Sequence, residues 1–135
     1  YILYGNIGDS SGYAIKNEKL HKITHDHTLV NLLVSTGELT PEQAKFHPRK
    51  NLLTRALGAN DPIEIDIFDV DNNVGGLFLC SDGLTNMVTE EQIEKVLNNK
   101  SSIEEQVEKL IKKSNMRGGT DNISIAYLKK ESGDL

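Results

Sequence analysis

Three aspartates in this sequence stand where a carboxylate could bind a metal ion. Asp9 follows Gly8 at the end of the first predicted strand. Asp82 follows a short apolar run and precedes Gly83, and Asp121 opens the last predicted strand. A strand end holds a carboxylate in place, and a neighbouring glycine lets backbone, water or ligand come close. Converging carboxylates repel one another unless a cation lies between them, and ligand sets made only of oxygen favour magnesium, manganese or calcium over zinc.

The same three positions have a simpler interpretation. Asp-Gly is common turn chemistry, so each aspartate taken singly fits a turn residue. The three are far apart in the chain, and only the fold could bring them together. From the residues alone, turns and a hard-metal site both remain open.

Composition excludes several classes of protein. The 135 residues suit one domain, and 15 basic against 20 acidic residues give a net charge of −5. This charge and an aromatic content of 5 % disfavour nucleic-acid binding. The longest apolar run, Gly75 to Cys80, is far shorter than the roughly 20 residues of a membrane span. Cys80 is the single cysteine, which excludes a disulfide scaffold, and its apolar setting favours core packing over nucleophilic chemistry.

The elements that must position these residues form an α+β pattern. In the first half, residues 2–7 predict a strand, Asn17-Glu18 predicts a hairpin turn, and helices are expected over residues 29–36 and from Thr40. Alternating Ile63, Ile65 and Ile67 predict a half-buried strand. In the second half, residues 77–80 predict a strand buried on both faces. Helices are expected from Thr89 and from Ile103, and a final strand over residues 123–127.

Five motifs of this sequence have the order and spacing of motifs in one known family. They are Asn6-Ile7-Gly8-Asp9-Ser10, residues 24–28, residues 47–58, Leu79-Cys80-Ser81-Asp82-Gly83-Leu84 and Gly118-Gly119-Thr120-Asp121-Asn122-Ile123-Ser124. Together they resemble the PPM family, the type 2C metal-dependent serine/threonine protein phosphatases, in its bacterial branch. The first is similar to the family's Asn-Val-Gly-Asp-Ser motif, the fourth to its Ser-Asp-Gly-Leu signature and the fifth to its closing Gly-Gly-x-Asp-Asn motif.

The resemblance implies a site and a fold. The chain is expected to be part of a four-layer α-β-β-α sandwich with a central antiparallel β-sandwich. Asp82 and Asp121 are expected to bind two principal ions, magnesium or manganese, and Asp9 to hold a third with Asp82. The ions would lower the pKa of a water molecule that attacks the phosphorus of phosphoserine or phosphothreonine in line. Asp82 and Asp121 would thus contribute to catalysis through that metal-bound water. Supporting positions are Ser81, Gly83 and Asn122.

The segment from 24 to 58 resembles the family's flap, a helical insertion beside the active site. Its basic residues Arg49, Lys50 and Arg55 could meet a phosphopeptide or form a solvated basic face. His25 and His27 alternate as on one face of a strand. They could be a metal pair, or have surface and hydrogen-bonding roles, since no cysteine lies near them in the sequence to complete a zinc site.

The sequence also departs from the family pattern. Ser11 stands where the family has arginine, and Val74-Gly75-Gly76 replaces its usual Gly-Asp. The family's Asp-Gly-x-Gly-Gly motif, whose aspartate bridges both metals, and an early phosphate-binding arginine occur nowhere in the 135 residues. With the abrupt start at Tyr1, this predicts that residues 1–135 are the C-terminal part of one catalytic domain. We expect them to be inactive and poorly folded without the N-terminal part.

The sequence is therefore compatible with three functions. The first is a phosphatase acting on phosphoprotein substrates of a serine/threonine kinase in the bacterial cytoplasm, with no membrane or nucleic-acid partner. The second is a non-catalytic phosphatase-like module that binds phosphoproteins or another partner. The third is a self-contained α+β domain that binds a hard metal, which would unfold cooperatively with a metal-dependent midpoint.

Overall fold

The computed structural model describes residues 1–59 and 61–131. These ranges contain five helices and six strands, and the strands pair antiparallel, which confirms the α+β class. The strands are β1 (Ile2–Asn6), β2 (Ser11–Lys16), β3 (Lys19–Lys22), β4 (Asp66–Val70), β5 (Gly76–Cys80) and β6 (Ile125–Lys129). The helices are α1 (Leu29–Ser35), α2 (Pro41–Lys45), α3 (Asp82–Thr85), α4 (Glu90–Leu97) and α5 (Ile103–Met116).

The strands form two antiparallel sheets. One pairs β1 with β4, and the other has the order β3-β2-β5-β6. Strand period two sends Tyr13 and Phe78 to one face of the larger sheet, where they pack against side chains of α4 and α5 such as Ile93 and Leu110. The opposite face of that sheet packs against the smaller one. The described residues thus build three layers, helix, sheet and sheet; a fourth layer remains a prediction.

Local signals in the sequence place most element ends correctly. Thr40 and Thr89 both cap helices in capping boxes, each closed by the glutamine three residues later. The predicted hairpin turn is present, with Asn17 and Glu18 both at positive φ. The short helix α3 was missed because four residues carry too little periodicity to detect.

Two strand predictions need correction. Ile63, Ile65 and Ile67 are exposed, and the strand begins only at Asp66. Pairing with β1 runs from Ile2↔Val70 to Asn6↔Asp66, and β1 ends there, so residues before Asp66 have no strand beside them. The side chains of β4 that pack inward are those of Phe68 and Val70.

The strand predicted to be buried on both faces is buried on one. Phe78 is fully buried in the core beneath the helices, whereas Leu79 on the other face is 40 % exposed. The smaller sheet covers Leu77 but does not extend over Leu79. Within residues 1–59 and 61–131, no helix is long and apolar enough to cross a bilayer.

Candidate metal centre

Strand register brings Asp9 and Asp82 together. β2 and β5 are antiparallel with Ser11 opposite Cys80, so continuing the register by two residues puts Asp9 opposite Asp82. The carboxyl of Asp82 lies within hydrogen-bonding reach of Asp9, and Asp26 is close enough to act on Asp9 electrostatically. Two of the three predicted metal ligands therefore meet at one end of the larger sheet.

Electrostatic crowding at this pair affects the pKa of Asp9. Burial, followed by the negative charges of Asp82 and then Asp26, raises the pKa of Asp9 from 3.8 to about 6. Burial disfavours the charged carboxylate, and neighbouring carboxylates disfavour it further. A divalent cation between Asp9 and Asp82 would remove that penalty, so the donor set fits a hard cation.

The third predicted ligand, Asp121, lies on the adjoining segment. The exposed Asp121 uses Oδ1 to accept the backbone N–H of Asn122 at 2.7 Å. On the neighbouring strand pair Cys80 is opposite Ile125, so Asp121 lies two residues beyond the position opposite Asp82. Among the residues that the structure describes, no three His, Cys, Asp or Glu side chains come close enough to hold one ion. The fit is therefore partial.

The supporting residues join the segments that carry Asp82 and Asp121. Ser81 does not cap α3 with its side chain. Instead its Oγ donates to the Asn122 carbonyl at 3.3 Å and accepts the Ser124 N–H at 3.0 Å. The Ser81 N–H also donates to the Ser124 carbonyl at 3.0 Å. These bonds tie the end of β5 to the segment before β6.

Gly83 makes this junction possible. A Cβ at Gly83 would overlap the carbonyl oxygen of Asn122. The Gly83 carbonyl in turn accepts the hydroxyl of Ser114, a fully buried residue of α5, at 2.9 Å. Sequence analysis missed Ser114 because a serine inside an amphipathic helix gives no signal of a long-range contact.

The basic residues of segment 24–58 have different surroundings. Arg49 and Lys50 are exposed. Arg55 is instead engaged within the chain: its Nη1 donates to Asp66 Oδ1 at 3.0 Å, and its Nη2 lies 3.5 Å from Glu64.

The predicted histidine pair separates into two environments. His25 is exposed and packs edge-on against Phe68. His27 is buried, and its ring bonds the Gly8 N–H and Asp66. The hydrogen-bonding alternative therefore holds for His27, and the described residues near it form no metal cluster.

Cys80 plays no part in the chemistry of this site. It is 3 % exposed within the core beneath the helices, and burial raises the pKa of its thiol to about 12. A thiol that stays protonated at neutral pH is a poor nucleophile. The prediction of a packing role is confirmed.

Known proteins resemble this chain over almost all of its length. A serine/threonine phosphatase, Stp, from Listeria welshimeri is 45 % identical over 130 residues, which cover 96 % of this chain and 52 % of the relative. The solved PPM Ser-Thr phosphatase MsPP from Mycobacterium smegmatis superposes with a TM-score of 0.84 at 35 % identity, covering 96 % of this chain and 56 % of that one.

A further solved structure is the catalytic domain of the serine/threonine phosphatase PstP in complex with two manganese ions. It matches with a TM-score of 0.73 and 32 % identity over 94 % of this chain and 53 % of that chain. No protein-family model matches the sequence. The chain spans about half the length of the curated relatives it matches. By sequence and by fold, the chain is similar to about half of the length of bacterial serine/threonine phosphatases of the PPM type.

Proposed function

We propose that the full-length protein carrying this chain removes phosphate from phosphoserine and phosphothreonine in proteins, with magnesium or manganese as cofactor. The observation that carries the proposal is the meeting of Asp9 and Asp82 at one sheet end, beside the segment that bears Asp121. The PstP structure with two manganese ions supports a metal-dependent site in this family.

In the proposed reaction this chain supplies oxygen ligands and holds them in place. Asp82 and Asp121 would hold the two principal ions, and Asp9 with Asp82 a third. When bound, the ions supply Lewis-acid chemistry and lower the pKa of a water toward neutrality. Ser81, Gly83 and Asn122 keep the two ligand-bearing segments in register through the bonds described above.

The site is proposed to be completed by an N-terminal part of the same domain. Two exposed apolar faces support this. Leu79 and Leu128 lie on the face of the larger sheet turned toward the smaller one, and Leu3 and Ile67 lie on the outer face of the smaller sheet. Further strands and a fourth, helical layer would cover both faces, as the four-layer sandwich requires.

Substrate contact is proposed for the exposed Arg49 and Lys50 of the flap-like segment 24–58. Arg55 was predicted with them, but its ion pairs with Asp66 and Glu64 favour an internal role. The proposed setting, the cytoplasm opposite a serine/threonine kinase, rests on the family resemblance alone.

The test is hydrolysis of a phosphothreonine peptide by the full-length protein, with phosphate release measured with and without Mn²⁺. We expect Mn²⁺-dependent turnover that Asp82→Asn reduces at least about a thousandfold, because a ligand of the reacting centre is lost. Asp71→Asn is the matched control, an exposed turn carboxylate that should keep full activity. Mn²⁺ binding without turnover would instead favour the non-catalytic module.

A further inference from the structure

His27 is a buried histidine, 7 % exposed, and each of its polar groups is bonded. Its backbone N–H donates to the Gly8 carbonyl at 2.9 Å, and its Nδ1 accepts the Gly8 N–H at 3.0 Å. Its carbonyl accepts the Thr54 N–H at 2.8 Å, and its Nε2 lies 2.7 Å from Asp66 Oδ2. Both polar backbone groups of Gly8, the residue before Asp9, are therefore held by one side chain and its own backbone.

Hydrogen-bond chemistry assigns the protons in this arrangement. A backbone N–H can only donate, so Nδ1 of His27 must be unprotonated to accept from Gly8. In the neutral ring the proton is then on Nε2, where it donates to Asp66. Hydrogen bonds from His27 and then from Arg55 hold the pKa of Asp66 below its usual value, which keeps it an acceptor for both. Asp66 thereby selects the tautomer that can hold Gly8.

The same residues close the base of the flap-like segment 24–58. Thr28 and Leu53 form an isolated antiparallel bridge, and the Leu29 N–H donates to the Leu52 carbonyl at 2.9 Å. Arg55 follows this bridge in the chain, and its Nη1 donates to Asp66 Oδ1 at 3.0 Å. His27 is therefore the point at which the two ends of the segment, β4 and the Gly8–Asp9 turn meet.

We propose that His27 is a positioning residue that holds the Gly8–Asp9 turn and couples the placement of the Asp9 carboxylate to closure of the base of segment 24–58 through Asp66 and Arg55. This inference rests on the proposed function only in taking Asp9 as a metal ligand. Both ring nitrogens of His27 are engaged, Nδ1 by Gly8 and Nε2 by Asp66, so His27 acts on Asp9 through Gly8. Coupling of this kind is reciprocal, so a metal on Asp9 would also stabilise the base of the segment.

The test uses the full-length protein and two readouts that do not depend on turnover. One is hydrogen exchange at the Gly8 amide, and the other is the Kd of the Mn²⁺-binding event that Asp9→Asn abolishes. His27→Ala is expected to speed Gly8 exchange and weaken this Mn²⁺ binding about tenfold each, because the Gly8 N–H loses its acceptor. His27→Asn should restore part of both, since its Oδ1 can take the place of Nδ1.

Asp66→Ala tests the coupling at a position that is only half-buried, so folding is retained. It should raise the same Mn²⁺ Kd about threefold and weaken the tautomer preference, seen as a change in the ¹⁵N resonances of His27. Matched controls are His25→Ala, which loses only an edge contact with Phe68, and Asp69→Ala on the exposed side of β4. Both should leave Gly8 exchange and Mn²⁺ binding unchanged.

The outcomes separate this inference from the proposed function. Unchanged Gly8 exchange and Mn²⁺ affinity in a folded His27→Ala variant would overturn it. If His27→Ala does not fold, an unchanged Mn²⁺ affinity in the Asp66→Ala variant would overturn it. Effects on exchange in a protein that hydrolyses phosphopeptides support both proposals. Slow Gly8 exchange in a wild-type protein that binds no Mn²⁺ would support the hold on Gly8 and overturn the proposed function and the coupling to metal.

Discussion

At the scale of single residues, the contact beside Asp82 between the end of β5 and the segment before β6 depends on Gly83 having no side chain. Gly83 has no unusual backbone angle, so its requirement is one of space: the Asn122 carbonyl lies where a Cβ would be. Ser81 and Ser114 bond on either side of this contact. The glycine of the Ser-Asp-Gly motif is therefore explained by the approach of the segment that carries Asp121.

Gly83→Ala is predicted to destabilise the full-length protein by about 3 kcal/mol, since overpacking against backbone forces the two segments apart. The loss should appear in the denaturant midpoint and as weaker Mn²⁺ binding, because Asp82 and Asp121 move relative to each other. Gly75→Ala is the control, since a Cβ there would lie 3.6 Å from the Ile15 carbonyl, an ordinary contact. Equal stability of the two variants would show that Asn122 can move without cost.

At the scale of elements, the β2–β3 hairpin carries a mismatch between sequence and turn. Asn17 and Glu18 both have positive φ, 53° and 64°, as a two-residue turn of type I′ requires. Asparagine tolerates this region well, but glutamate does not. The backbone carbonyl of Glu18 accepts a hydrogen bond from Asn98 Nδ2 at 2.9 Å.

Glu18→Gly is accordingly predicted to stabilise the full-length protein by about 0.5 kcal/mol. Relief of the left-handed strain exceeds the extra entropy that glycine loses on folding, and the bond to Asn98 is kept. Lys19→Gly, one residue on and within β3, should lower stability instead. Thermal unfolding of the two variants measures the difference, and a loss in both would contradict the explanation from backbone strain.

At the scale of the whole molecule, the two sheets leave apolar surface that no described residue covers. Leu128 is 65 % exposed and Ile67 is 62 % exposed, on different faces. A two-stranded sheet such as β1–β4 is marginal on its own. These exposed faces support the proposal that further strands cover them, and poor folding of residues 1–135 alone stays a prediction.

The substitution Leu128→Lys distinguishes a covered face from a free one. In the full-length protein it is predicted to cost about 3 kcal/mol of unfolding free energy, because it buries an unpaired charge under the proposed N-terminal strands. In residues 1–135 alone it should reduce binding of a hydrophobic dye and leave stability unchanged or higher. Tolerance of lysine in both proteins would mean that this face is solvent-exposed in the full-length protein as well.

The local elements were largely predictable because their signals lie within a few residues. Capping boxes at Thr40 and Thr89, the turn at Asn17-Glu18 and the period of α5 all follow from neighbouring side chains and backbone groups. The prediction of a strand around Ile63 was wrong because an alternating pattern does not show whether a neighbouring strand is available for pairing. Its pairing was limited by the end of β1 at Asn6.

The sequence by itself determined which residues could do the chemistry: three carboxylates at strand ends, in motifs that resemble one family. Only the tertiary structure decided which of them meet. Asp9 and Asp82 face each other because Ser11 pairs with Cys80 in the larger sheet, a contact between residues far apart in the chain. The placement of His27 between Gly8 and Asp66 likewise depends on packing of distant segments, whose free energy no local pattern records.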